Sequence, residues 1–271
     1  MKNKRKNFLL ILMFVIHSML LSGCATKDNF LFNSSNQDPK YIYAKGHESL
    51  QNEDYTQAIQ TLKVLNSHYP FKKYTELGNL DLIYAYYQKN DLEMVLALAN
   101  KFISHYPQSK QLAYIFYMKG VAKFNKPRAF LKSSWLHSKT QHNYQLYMQS
   151  VFHLQRSVHL NPNSHFAEDA IRRILYIRNI MSEHQYHIAT FYFTHKAYIA
   201  AINRAKIIVE KYPQSTSIEN ALILMIRSYN NLRMFKLSEQ SMAVLKANYP
   251  ENHYLKSKNI KEKKAQLSYF N

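Results

Sequence analysis

Apolar residues step along most of this chain by threes and fours, and proline interrupts them at spaced intervals. Tyr55, Ala58, Ile59, Leu62, Leu65 and Tyr69 form one such stripe. Leu92, Val95, Leu96, Ala99, Phe102, Ile103 and Tyr106 repeat it one unit later. Tyr144, Tyr147, Val151, Leu154 and Val158 give a third stripe, and Tyr198, Ala201, Ala205, Ile208 and Tyr212 a fourth. This spacing collects each set on one face of an α-helix. A second stripe precedes each, such as Leu77, Leu80, Tyr84 and Tyr87, so the repeating unit reads as a helix pair. Nothing alternates at period two, and the expected fold is all-α without a sheet.

The punctuation is Tyr69-Pro70, Tyr106-Pro107, Asn161-Pro162, Tyr212-Pro213 and Tyr249-Pro250, with successive prolines 37, 55, 51 and 37 residues apart. Each proline stops a helix, because it lacks an N–H and biases its predecessor out of the helical region. Small residues fall where paired helices must approach: Gly46, Ala58, Gly120 and Ala201. With proline at its end, the unit resembles the tetratricopeptide repeat, although the first aromatic of that repeat is weak here and the units run long. One unit cannot bury both its faces, so at least three must stack as a solenoid with a concave inner surface, and the chain has room for about five helix pairs. Residues 39–163 would hold repeats 1–3, with an insertion at 125–143 carrying Pro127, Arg128 and the single Trp135. Residues 164–250 would hold repeats 4–5. Phe166, Ala170, Ile174, Ile177, Met181, His184, Ile188 and Phe191 stay in register without Gly or Pro, which predicts one helix of about 30 residues. Residues 251–271 read as a basic tail, whose lysine-rich stretch from Lys256 to Lys264 is expected to be frayed or disordered.

The head of the chain follows different rules. Lys2, Lys4, Arg5 and Lys6 precede an apolar run from Phe8 to Leu21, too short to span a bilayer comfortably; residues 1–23 read as a secretory signal. It closes on Leu21-Ser22-Gly23-Cys24, similar to the lipobox of bacterial lipoproteins. That resemblance implies lipidation of Cys24, cleavage before it, and outer-membrane sorting, since Ala25 rather than an acid follows. An ordinary secretory signal is the alternative, but Cys24 is the only cysteine in the chain and can form no internal disulfide. Residues 24–38 are polar and aperiodic and read as a tether. The formal charge of +19 falls to +15 once the signal is removed. Such a balance fits anionic lipid, nucleic acid or an acidic protein as neighbour, and equally a merely solvated basic surface.

Thirteen histidines invite a search for metal or catalytic sites. His184 and His187 lie three apart, and His153 and His159 six apart, but no carboxylate stands at ligand spacing beside either pair and no second cysteine exists. Four glycines cannot supply a phosphate-binding loop, and no serine elbow or acid–base carboxylate pair is present. The expectation is a non-enzymatic protein with no metal and no cofactor beyond a covalent lipid on Cys24. Aromatics crowd the first two units: Tyr41, Tyr43, Tyr69, Phe71, Tyr74, Tyr84, Tyr86 and Tyr87. Repeat packing absorbs many of them. Tyr84, Tyr86 and Tyr87 cannot all share one helix face, so some must line the concave side, where polar-tipped aromatics suit an extended peptide.

Tyr69-Pro70-Phe71 followed by Leu80-Asp81-Leu82-Ile83-Tyr84-Ala85-Tyr86-Tyr87 closely resembles the BamD family of outer-membrane assembly lipoproteins. Tyr117-Met118-Lys119-Gly120, Tyr186-His187-Ile188-Ala189 with Tyr192, and Ala201-Ile202-Asn203-Arg204 extend the likeness along the chain. The resemblance implies a periplasm-facing lipoprotein of five repeats in the machinery that folds β-barrel proteins. Its N-terminal repeats would receive C-terminal segments of unfolded barrel proteins, in a groove around Tyr69, Pro70, Phe71, Asp81, Tyr84, Tyr86 and Tyr87. Its C-terminal repeats would dock on the POTRA domain of a BamA-like barrel-forming subunit through Arg204, with Asn203 beside it. Other assembly lipoproteins are implied as partners, with outer-membrane lipid holding the acyl anchor and no nucleic acid expected. The family's third-unit insertion usually carries Asp-Arg-Asp-Pro. Here the loop reads His137-Ser138-Lys139-Thr140-Gln141-His142, so its local charge has changed sign. Two other readings remain open at this point: a repeat lipoprotein serving cell-wall or division machinery, and an envelope protein whose charge binds nucleic acid.

Overall fold

The computed structural model describes residues 38–131 and 140–257. Among them are ten long helices and no strand: α1 (Pro39–Gln51), α2 (Tyr55–His68), α3 (Lys73–Gln88), α4 (Leu92–His105), α5 (Leu112–Leu131), α6 (Thr140–Leu160), α7 (Ala167–Thr194), α8 (Tyr198–Lys211), α9 (Ile218–Asn231) and α10 (Phe235–Asn248). They pack as five antiparallel pairs in chain order, a tetratricopeptide-like solenoid. The signal, the tether up to Gln37, Trp135 and residues 258–271 lie outside the described residues.

Local chemistry sets most of the boundaries. Asp38, Asp54 and Asp91 cap α1, α2 and α4, each side chain accepting a backbone N–H of the first turn. Within four pairs a short turn reverses the chain, with Glu53, Asn90, Lys196 and Arg233 all near φ 60°. Those four positions fall 37 residues apart within each half of the chain, the same interval as the outer prolines. Pairs end alike: Tyr69, Tyr106, Tyr212 and Tyr249 each adopt φ near −130° and donate their N–H four residues back, before a proline forbids another turn.

The first helices of the pairs touch one another, α1 on α3, α3 on α5, and α7 on α9. They line the inner face while the second helices form the outer layer. One cluster joins α1 to α5 around Ile42, Leu62, Leu65, Ile83, Val95 and Phe102. A second joins α7 to α10 around Ala201, Ile208, Ile226 and Leu245. The third is the hinge between them: Val121, Phe124 and Leu154 meet Ala170, Ile174, Ile177 and Met181 of α7, with Tyr212 from the end of α8.

Several expectations need correction. On α3 the buried row is Thr75, Gly78, Leu82, Ile83, Ala85 and Tyr86, whereas Leu77, Leu80 and Tyr87 are only partly covered and Tyr84 is exposed. An inner helix is held on two sides, so a single stripe does not describe it. On α7 the predicted row holds as far as Met181; then Gln185 and Ala189 are buried in place of His184 and Ile188, and Phe191 is 58% exposed. The helix there leaves one core for the next, and its buried face rotates accordingly. The predicted insertion at 125–143 is shorter than expected, because α5 continues to Leu131 and α6 begins at Thr140. The basic tail from 251 starts with a helical turn over residues 253–257, with Leu255 4% exposed within the C-terminal core, so the stretch expected to fray from Lys256 begins inside that turn.

The third pair carries a half-buried imidazole. His153 on α6 lies between Phe116 (6.1 Å, stacked) and Phe152 (5.3 Å, edge-on), and its Nδ1 is buried without a hydrogen-bond partner. Burial, helped by Lys119 and Lys123, holds its pKa down to about 4. An unfolded histidine takes up its proton near 6.5. Between pH 6.5 and about 4 the unfolded chain therefore binds a proton that the native state refuses, and native stability declines as pH falls through that window. His153→Gln is expected to melt less steeply with acidification than wild type between pH 7.5 and 4.5. Parallel melting-temperature curves would refute this.

Candidate functional site

The inner face of the first three pairs is built by residues one turn apart on successive helices. On α1 these are Tyr43, His47 and Gln51; on α3, Tyr74, Asp81, Tyr84 and Gln88; on α5, Tyr114 and Tyr117. His47 Nδ1 lies 2.7 Å from Asp81 Oδ2. A carboxylate only accepts, so the ring nitrogen donates, and Gln51 Nε2 donates to the other ring nitrogen at 3.2 Å. The Tyr43 ring stacks on His47 at 5.6 Å and leans on Tyr74 at 5.8 Å. Gln88 Nε2 donates to the Tyr84 hydroxyl at 2.5 Å. Further along, Tyr117 stacks on Phe166 at 5.0 Å and donates to Asp169, which also accepts from Arg173.

The electrostatics follow from burial. The Asp81 side chain is 16% exposed. Burial pushes its carboxyl above the ordinary carboxylate value, and the hydrogen bond from His47 recovers only part of that. Burial raises Tyr43 and Tyr114 too, and the Asp81 charge adds to both. Tyr117 is pushed up to about 12, first by burial and then by its hydrogen bond to Asp169. Asp169 runs the other way. Despite burial, its bonds from Arg173 and Tyr117 hold its carboxyl below the usual range.

The residues predicted from sequence scatter over this frame. Asp81 and Tyr84 share the inner face of α3. Tyr87 turns toward α5, its hydroxyl accepting from Asn125 Nδ2 at 3.2 Å. Tyr86 does not reach the groove: it is 7% exposed in the N-terminal core, with the Lys63 ammonium 5.8 Å from its ring. Its place in the row of Gly78, Leu82 and Ala85 turns it inward. Tyr69 caps α2, and its carbonyl accepts from the Thr75 hydroxyl. Pro70 and Phe71 stand at the turn into α3, two helical turns before Asp81. Phe71 is 66% exposed with φ 63°, an unusual backbone for a bulky side chain, and packs on His105 at 5.1 Å.

At the other end, Arg204 on α8 is half-buried and its Nη1 donates to Gln185 Oε1 of α7 at 3.3 Å. Asn203 is exposed beside it. Cys24 lies outside the described residues. Sequence reasoning did not single out His47, Tyr43, Tyr74 or Tyr114 as site residues. The available signal was the one-turn spacing of Tyr43 with His47 and of Asp81 with Tyr84. Nor did it register that no Asp or Glu occurs between residues 94 and 167, a stretch holding nine Lys and Arg. Among the described residues, no group of three or more His, Cys, Asp or Glu could hold a metal ion, and no helix is long and apolar enough to cross a membrane.

Stacked helix pairs with a tyrosine-lined inner face define a helical-repeat scaffold of the tetratricopeptide class. The chain belongs to the YfiO family, described as an outer membrane lipoprotein, whose model matches residues 35–245. Its relatives include the outer membrane protein assembly factor BamD of Neisseria meningitidis, 28% identical over 253 residues, which cover 91% of this chain and 93% of that one. The BamD proteins of Pasteurella multocida (31% over 207 residues, 76% and 80% covered) and Vibrio cholerae (28% over 229 residues, 84% and 94%) match as well. Among solved structures, the TPR2AB domain of yeast Sti1 is 11% identical over 78% of each chain with a TM-score of 0.40.

Proposed function

We propose that this chain is a non-catalytic, periplasm-facing subunit of the machinery that assembles β-barrel proteins into the outer membrane, held there by lipid on Cys24. The N-terminal inner face takes C-terminal segments of unfolded barrel proteins. The C-terminal repeats dock on the POTRA domain of the barrel-forming subunit around Asn203 and Arg204, and other assembly lipoproteins join the same complex. The observation that carries this reading is the row of tyrosines around Asp81 on α1, α3 and α5, in a chain whose family relatives are BamD assembly factors. Half-covered phenols offer stacking faces and hydroxyls to an extended peptide without demanding one sequence.

The test is a tagged pull-down from outer membranes in mild detergent, with co-purifying proteins identified by mass. Stoichiometric recovery of a large barrel protein with periplasmic repeat domains is expected. Recovery of cell-wall or division proteins in its place would keep the fold and overturn the function.

A further inference from the structure

Asp81 is an unusual acid for this chain. Asp54 and Asp91 are consumed as helix caps, and Glu76 accepts the Ser109 hydroxyl at 2.6 Å. Asp81 instead sits mid-helix on the inner face, bonded through Oδ2 to His47, with Tyr43, Tyr74, Tyr84 and Tyr114 gathered around that pair from three helices. It is poorly solvated yet open to a ligand, since the His47 side chain beside it is 40% exposed and Tyr84 is 36% exposed. Beyond Glu93 the chain supplies no further carboxylate until Glu168, so a cation approaching the middle of the inner face meets few competing acids.

A carboxylate short of water and flanked by tyrosine rings is a recognition set for a cationic side chain: the acid gives a charge-assisted hydrogen bond, and the ring faces attract the same charge. Hydrophobic stacking alone would need no acid here, because burying one is unfavourable and His47 offsets that only in part. We propose that Asp81, with Tyr43, Tyr84 and Tyr114, reads a lysine or arginine within the bound segment, so that the inner face selects peptides pairing a basic residue with aromatics. This deepens the peptide-receiving role proposed above and rests on it.

The experiment uses the full mature chain in detergent and fluorescent synthetic peptides ending in phenylalanine, followed by anisotropy. One series moves a single lysine through the peptide a position at a time, and a twin series carries methionine there. At one or two positions the lysine peptide is expected to bind roughly ten- to a hundred-fold more tightly than its methionine twin. Asp81→Asn, which keeps an acceptor for His47, should erase that preference, so that each lysine peptide binds no more tightly than its methionine twin. Tyr84→Leu, at an exposed position, should shrink the preference several-fold, and it tests the idea even if Asp81→Asn fails to fold. Equal binding of lysine and methionine peptides at every position would overturn this proposal and leave the peptide-receiving role standing. If no peptide of either series bound, both would fall.

Discussion

Gly120→Val is expected to lower the melting temperature by roughly 6–12 °C, the equivalent of about 3 kcal/mol in a chain of this size. A Cβ at Gly120 would lie 2.6 Å from Leu154 Cδ2 and Cγ and 3.2 Å from the Leu154 backbone nitrogen. Leu154 is fully buried and has nowhere to move. The helices cannot part there either, because the Ser150 hydroxyl of α6 donates to the Gly120 carbonyl at 2.8 Å, and Ser157 donates to the Ala113 carbonyl at 2.7 Å. In an isolated helix, replacing this glycine would be favourable by a few tenths of a kcal/mol, so a loss isolates the packing effect. The partner variant Leu154→Ala alone should also destabilise, by about 2–5 kcal/mol. Adding Leu154→Ala to Gly120→Val should then cost far less than it does in wild type, since the two sites share one space. A Gly120→Val protein melting within a degree of wild type would show that the third pair is looser than described.

Arg204→Glu is expected to abolish co-purification of the barrel-forming subunit while leaving helical content intact. Arg204 is half-buried and, among the described residues, is tethered through Gln185, a residue 6% exposed, so its guanidinium has donors to spare for an outside acceptor. Reversing its sign at an interface replaces attraction with repulsion, and losing one member of a desolvated charge pair costs about 2–5 kcal/mol, enough to take a tight complex apart at working concentrations. Glutamate is a good helix former, so α8 should persist, and the loss of one hydrogen bond costs about 1 kcal/mol at most. Circular dichroism and the pull-down together decide the matter. A folded Arg204→Glu protein that still recovers the barrel subunit would remove Arg204 from the interface. Asn203→Ala, on the exposed side of the same turn, should have a smaller effect.

These two residues were legible in the sequence for different reasons. Gly120 stood out because a small residue interrupts a helical apolar stripe, and a helix of bulky neighbours keeps such a gap only where another backbone comes close. Arg204 stood out by its likeness to a family segment, and the structure adds its bond to Gln185. Tyr86 shows the limit of both approaches. It belongs to the tyrosine cluster that suggested a groove, yet one step along the helix turns it about 100° from Tyr87 and buries it under Lys63. Gly78 makes the same point from the other side. Its Cβ position is 2.9 Å from Leu65 of the preceding unit, a contact between units that no pattern within one helix can register.

By itself the sequence determined the elements: helix from the three-and-four spacing, repeat length from the tyrosine–proline stops, pairing from the short turns between stripes. Each depends on the backbone and side chains of a few consecutive residues, and such local effects are written in local order. Only the tertiary structure decided which side of each inner helix is covered, because α3 and α7 are packed by elements on two sides and one moment cannot describe both. It also decided the meeting of His47 with Asp81, 34 residues apart, and the entry of Tyr212 into the core shared by α5, α6 and α7. Those contacts depend on how one helix pair is rotated upon the next, and that rotation is fixed by the summed packing of many side chains.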